Sequence, residues 1–172
     1  RRECSRGLHL EFITMFCKGE LVFGRPTRPV MSPYDGSVVG EVAVDGAAEV
    51  RSMLASLASY DGALSASARA EVLRKTAERL RDERESLGRL ISCESGVCLR
   101  ETRSEVDRAR GNLLVAADEA VRIRGESIPL DTPDGQKLAL TVRESVGVVA
   151  ALTPFNRPLN QVVVKVAPAI AA

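Results

Sequence analysis

Aromatic side chains are scarce in this 172-residue chain: two Tyr, four Phe and no Trp, 3% in all. Its core must therefore be filled by Leu, Val, Ile and Ala. At 45% hydrophobic content there is enough apolar surface for one ordinary domain. There is one histidine, His9. The four cysteines (Cys4, Cys17, Cys93 and Cys98) lack the paired spacing of a metal-ligand set, which argues against a zinc or other metal site. They read as free thiols of a reducing cytosol, so a cytoplasmic location is expected. Neither sign of charge dominates. The net charge is +1, and no electrostatic argument favours a nucleic-acid or acidic partner. No apolar run approaches the roughly 20 residues that span a bilayer, so no membrane partner is expected either.

What the chain does have is concentrated near residue 150. Val146 to Leu152 is a short apolar run without charge, the pattern of a strand covered on both faces of a parallel sheet. Thr153-Pro154 stops it, and Pro158 sits where the first residue of a helix tolerates a missing N–H. Open α/β sheets bind ligands in such strand-to-helix turns. This turn carries an amide, Asn156, beside a cation, Arg157. Taken alone, each has an ordinary reading, Asn156 as a residue satisfying its own turn and Arg157 as a surface Arg at a helix start.

Upstream, Ser32-Pro33-Tyr34-Asp35-Gly36 is turn chemistry that predicts a tight Asp-Gly hairpin turn, and Val38 to Val42 reads as a strand. Asp45 is the expected N-cap of a helix reaching about Ser59. One long helix is expected from about Ser67 to Glu94, with Leu73, Ala77, Leu80, Leu87, Leu90 and Ile91 as its apolar stripe and Gly96 as its stop. Another runs from about Leu99 to Ile123. On it Leu99, Val106, Ala109, Leu113 and Ala117 face one way, and Glu105, Arg108 and Asn112 share a neighbouring face. Lys137 to Arg143 alternates polar and apolar, as a half-exposed or edge strand does.

Val-Gly-Val-Val-x-x-x-Thr-Pro-Phe-Asn-x-Pro-Leu at 146–159, followed by Lys165-Val166-Ala167-Pro168-Ala169, closely resembles a signature of NAD(P)-dependent aldehyde dehydrogenases. The resemblance covers about residues 18–172. It implies an α/β fold: the N-terminal part of the aldehyde dehydrogenase fold, with long helices, the first strand or strands of a Rossmann-like sheet and a β-arm. The expected organisation is a disordered or non-native tail at 1–17, strands and helices of the cofactor-binding domain at 18–123, an oligomerisation β-arm at 124–145, and the first Rossmann strand with its helix at 146–172. Val162 to Val164 would suit a strand, but the resemblance makes 159–171 a helix, kinked or ended by Pro168.

The same resemblance implies roles. Asn156 matches the residue that stabilises the oxyanion formed when a thiolate attacks an aldehyde. Leu152, Thr153, Pro154 and Phe155 match the turn facing NAD or NADP. Lys165 is expected to be structural. Glu94 to Ala109 resembles the subgroup that oxidises phosphonate-bearing aldehydes such as phosphonoacetaldehyde. It points to Arg108 and Arg157 as substrate-binding residues, with Arg103 a weaker candidate. Arg157 stands where that subgroup commonly has His, and its permanent charge suits a small, highly charged aldehyde such as phosphonoformaldehyde. Cys93 and Cys98 fall outside the nucleophile pattern. The family's nucleophilic Cys, its Glu base, its Lys-Pro-Ser segment and the following glycine-rich turn do not occur in these residues. The chain therefore reads as a fragment, inactive in isolation, of an enzyme expected to form homo-oligomers. The alternative is a non-catalytic interaction module or decayed remnant that pairs with a full-length homologue through the 137–143 strand.

Overall fold

The computed structural model describes residues 12–13, 15–17, 20–22, 24–60, 62 and 64–172, the first three stretches as backbone only. Short strands β1 (Phe12–Ile13) and β2 (Met15–Cys17) fall inside the segment expected as a tail, whose other residues lie outside the described ones. β2 pairs antiparallel with β3 (Glu20–Val22). β4 (Thr27–Met31) and β5 (Val38–Ala43) run antiparallel, and β1 joins the other edge of β5 in parallel, giving the order β1-β5-β4. The connection from β4 to β5 is six residues long, not the expected two-residue Asp-Gly turn. Ser32 N–H donates to the Ser37 carbonyl at 2.8 Å, Asp35 accepts from Ser37, and Gly36 takes the left-handed φ of +70°.

Helix α1 (Ala47–Ala58) follows and has no buried residue. Its N-cap is Gly46, not Asp45. Glu49 reaches back to accept from the Gly46 N–H at 3.0 Å, while Asp45 faces Arg25 at 3.6 Å.

The expected helix over 67–94 is two helices, α2 (Ala66–Asp82) and α3 (Arg84–Ser95), broken at Glu83. No Gly or Pro marks the break. The cause is tertiary: both pieces pack on the same neighbour, α4 (Leu99–Ala120). α3 stops at Gly96, whose φ of +73° is the left-handed helix end expected of glycine. Cys93 on α3 is disulfide-bonded, which corrects the reading of four free thiols, while Cys98 is free and exposed.

Helix α4 is the axis of the fold. Its buried Ala109, Leu113, Ala116, Ala117 and Ala120 meet Ala70, Leu73 and Ala77 of α2. They also meet Val163, Ala167 and Ala171 of α5 (Pro158–Ala171). With few aromatics available, the core is built mainly of alanines, so the helices can approach closely and small changes of volume are felt. Helix α5 forms as expected, but Pro168 does not end it; the helix runs on to Ala171. The ring lies on the exposed side, one turn from the end, where a lost N–H disturbs little.

Between α4 and α5 lie β6 (Ser127–Thr132) and β7 (Gly135–Leu140), an antiparallel hairpin turned by Pro133-Asp134. The ladder ends at Leu140, three residues before the expected Arg143. Among the described residues, 141–157 contain no strand. The expected strand Val146–Leu152 is thus not formed, and Val146 and Leu152 are 87% and 86% exposed. A strand covered on both faces needs neighbours to pair with its N–H and C=O groups, and no described strand pairs with it.

Candidate active site

Helix α4 presents Glu101, Glu105, Arg108 and Asn112 at spacings of four, three and four, one stripe of a helix surface. The first turn of α5 lies against that stripe. Pro158 occupies the first helical position and has no N–H to satisfy. The next two donors, the N–H groups of Leu159 and Asn160, both point at Glu105 Oε1, each at 3.0 Å. The fourth, of Gln161, bonds the Arg157 carbonyl at 2.9 Å. Every donor of the first turn is thereby satisfied, the two orphans by a carboxylate 54 and 55 residues away in sequence.

Glu105 is 1% exposed. A buried carboxylate is tolerable only when its charge is compensated. Here the compensation is two charge-assisted hydrogen bonds at the positive end of a helix, plus a guanidinium. Arg157 Nη1 stands 4.0 Å from Glu105 Oε2, and Nη2 is 3.6 Å from Glu101 Oε2. Arg157 Nη1 is itself buried and makes no hydrogen bond. Two turns further along α4 from Glu105, Asn112 Nδ2 donates to Asn160 Oδ1 at 2.9 Å.

The structure brings some of the expected residues together. Arg157 sits at the N-cap of α5 against the Glu101–Glu105 pair. Arg108 lies on the same stripe of α4, exposed, its side chain in no ion pair or hydrogen bond among the described residues. Arg103 is committed elsewhere, to Glu85 at 2.6 and 3.0 Å. Asn156 is exposed in the turn before α5. Leu152, Pro154 and Phe155 are exposed and Thr153 half-buried. The crevice expected at the carboxyl end of a sheet is not formed among the described residues, because residues 146–152 belong to no sheet. No group of three metal-ligating side chains occurs among the described residues, and no described helix is long and apolar enough to cross a membrane. An apolar groove of about 410 Å³ runs along α4 and α5 from Asn112 past Val115, Val163 and Pro168 to Ala172.

Sequence reasoning missed Glu101 and Glu105 as the partners of this turn. The available signal was Glu105 on one face with Arg108 and Asn112; its partners lie in another helix, which spacing alone does not reveal.

A model of the aldehyde dehydrogenase family matches residues 24–172. The chain is 36% identical over 161 residues to a 3-sulfolactaldehyde dehydrogenase of Priestia aryabhattai, covering 92% of this chain and 34% of that protein. It is 38% identical over 151 residues to aspartate-semialdehyde dehydrogenase 1 of Pseudomonas canavaninivorans, covering 85% of this chain and 32% of that protein. Among solved structures, aldehyde dehydrogenase 21 from Physcomitrella patens, in complex with the reaction product succinate, superposes with a TM-score of 0.88 at 30% identity. That match covers 95% of this chain and 35% of the other. The chain thus spans about a third of the length of the curated relatives it matches.

Proposed function

The chain belongs to the aldehyde dehydrogenase family, and on that premise we propose that it forms the N-terminal part of an NAD(P)-dependent enzyme that oxidises a small anionic aldehyde to the carboxylic acid. The observation that carries the substrate class is Arg157. Its guanidinium is held at the head of α5 beside Glu101 and Glu105, yet the side chain is still 32% exposed, leaving donor capacity for the oxygens of a sulfonate, phosphonate or carboxylate. Arg108, on the α4 stripe against which α5 lies and without an ion pair among the described residues, adds a second cation. Phosphonoacetaldehyde and phosphonoformaldehyde suit two such arginines. The relatives named for 3-sulfolactaldehyde and aspartate semialdehyde extend the candidates to sulfonates and carboxylates.

In this reading Asn156 turns its amide N–H toward the oxygen that becomes negative when a thiolate adds to the aldehyde. Losing one such donor typically costs about 10²–10³ in rate. A bound NAD or NADP would take up hydride. The turn at 152–155 fits its nicotinamide end, because Leu152 and Phe155 are 86% and 89% exposed and free to pack against it. The glycine-rich phosphate-binding turn is not among these residues, nor are the nucleophilic Cys and the Glu base. The 172 residues alone are therefore inactive, and the complete enzyme works as a homo-oligomer in which β6 and β7 serve as the arm. The exposed apolar segment Val146, Val148, Val149 and Leu152 favours a second reading, a non-catalytic module that pairs with a homologue.

A graft separates the two. Residues 24–172 replace the matching third of the Priestia 3-sulfolactaldehyde dehydrogenase, and NADH or NADPH formation is followed with sulfonate- and phosphonate-bearing aldehydes. Turnover by the graft and none by the 172-residue chain supports the enzyme reading. A folded graft that turns over none of them, or turnover by the chain alone, overturns it.

A further inference from the structure

The usual way to satisfy the start of a helix is a Ser, Thr, Asp or Asn at the N-cap. In α5 the N-cap is Arg157, with φ −144° and ψ 73°, and no side chain on its own segment caps the turn. A guanidinium carries only donors and cannot accept from the N–H groups it precedes. The acceptor has moved to α4, where Glu105 does with Oε1 what a local cap would do, while Oε2 faces the cation that displaced it. Burying an ion is seldom more stabilising than burying an apolar side chain of similar size, yet Glu105 is as fully buried as its neighbours Thr102 and Val106. The geometry assigns Glu105 as the positioning residue of the Asn156–Arg157 turn: one carboxylate oxygen pins the first turn of α5 and the other holds the guanidinium alongside it. Asn160 takes part through the Asn112 amide, a second pin two turns along α4.

This assignment deepens the aldehyde-oxidation reading and rests on it for the meaning of Asn156 and Arg157. Its test needs no aldehyde. Backbone amide exchange and the Arg157 side-chain Nε–H resonance are recorded by NMR on the 172-residue chain and on Glu105→Gln and Glu105→Ala. In Glu105→Ala the Leu159 and Asn160 amides should exchange ~10- to 100-fold faster, the scale of a lost hydrogen bond to a charged group. The amides of Val106 and Leu113 on α4 should hold. Glu105→Gln keeps an acceptor oxygen and should restore most of that protection. In both variants the Arg157 resonance should shift, because the facing charge is gone. A merely structural Glu105 would loosen α4 and α5 together in the alanine variant, and that result overturns the assignment. If Glu105→Ala does not fold, Glu105→Gln decides: an Arg157 resonance that does not move is equally fatal. A negative graft alongside the expected exchange pattern would reject the enzyme reading and leave the pinning intact.

Discussion

Thr102 and Gly88 join α4 to α3 through one buried hydroxyl: Thr102 Oγ1 donates to the Gly88 carbonyl at 2.7 Å, and Thr102 is 0% exposed. The contact works because Gly88 has no side chain. A Cβ there would come within 3.2 Å of Arg103 Cγ. Replacing Thr102 with Val keeps the shape and removes the donor, so the Gly88 carbonyl keeps only its bond within α3 and loses the one across the interface. The expected cost is about 0.5–1.5 kcal/mol, read from the midpoint of urea unfolding. Thr102→Ser, which keeps the hydroxyl, should cost less.

Glu94, near the end of α3, makes no ion pair or hydrogen bond among the described residues, and burial pushes its carboxyl above the ordinary value of 4.5. A carboxyl raised on folding favours the native state while protonated and penalises it once ionised, so the penalty is present near neutrality and absent below about pH 4.5. Glu94→Gln should raise the melting temperature at pH 7 by about 1–3 °C, the partly exposed position limiting the gain. The gain should vanish on acidification below pH 4.5. A constant gain at every pH would assign the effect to packing.

The opposite sign holds at Asp107. Arg84 grips it with two hydrogen bonds, Nε–Oδ1 at 2.7 Å and Nη2–Oδ2 at 2.8 Å, and holds its carboxyl below the ordinary value of 3.8. The stability it contributes is present above pH 3.8 and lost as pH falls through its lower folded value. Asp107→Asn should therefore flatten the acid limb of a stability-versus-pH curve below pH 3.8. The difference from wild type should shrink in high salt, because the pair is exposed.

Val148 and Leu152 should matter little to the folding of the chain and much to its solution behaviour. Both lie in the exposed 146–152 segment. With the groove along α4 and α5 they leave apolar surface of the kind that promotes association. Val148→Lys with Leu152→Lys should leave the unfolding midpoint unchanged within about 0.5 kcal/mol. It should also reduce self-association measured by light scattering across a concentration series.

Helices were legible in the sequence where a periodic face met a local stop. Leu73, Ala77 and Ile91 mark buried positions, Gly96 ends α3 as its freedom at positive φ implies, and Pro158 opens α5. The break at Glu83 was not legible, because packing on α4 imposes it and no residue there forbids a continuous helix. Val146 to Leu152 shows the opposite limit. Its pattern is that of a buried strand, but strandedness belongs to two segments at once, and the second is not among those described. The site divides the same way. The resemblance points to Arg108, on the α4 stripe, and to Arg157, at the head of α5 that lies against it, whereas the Glu105 pin depends on a pairing 54 residues long.

The most direct measurement is charge selectivity in the graft. Arg157→Leu should raise KM for an anionic aldehyde such as 3-sulfolactaldehyde by about 10- to 100-fold, the value of a charge-assisted hydrogen bond. It should change KM for a neutral aldehyde of similar size by less than about 3-fold. Equal changes for the two aldehydes would contradict the claim that this guanidinium receives the substrate's anionic end.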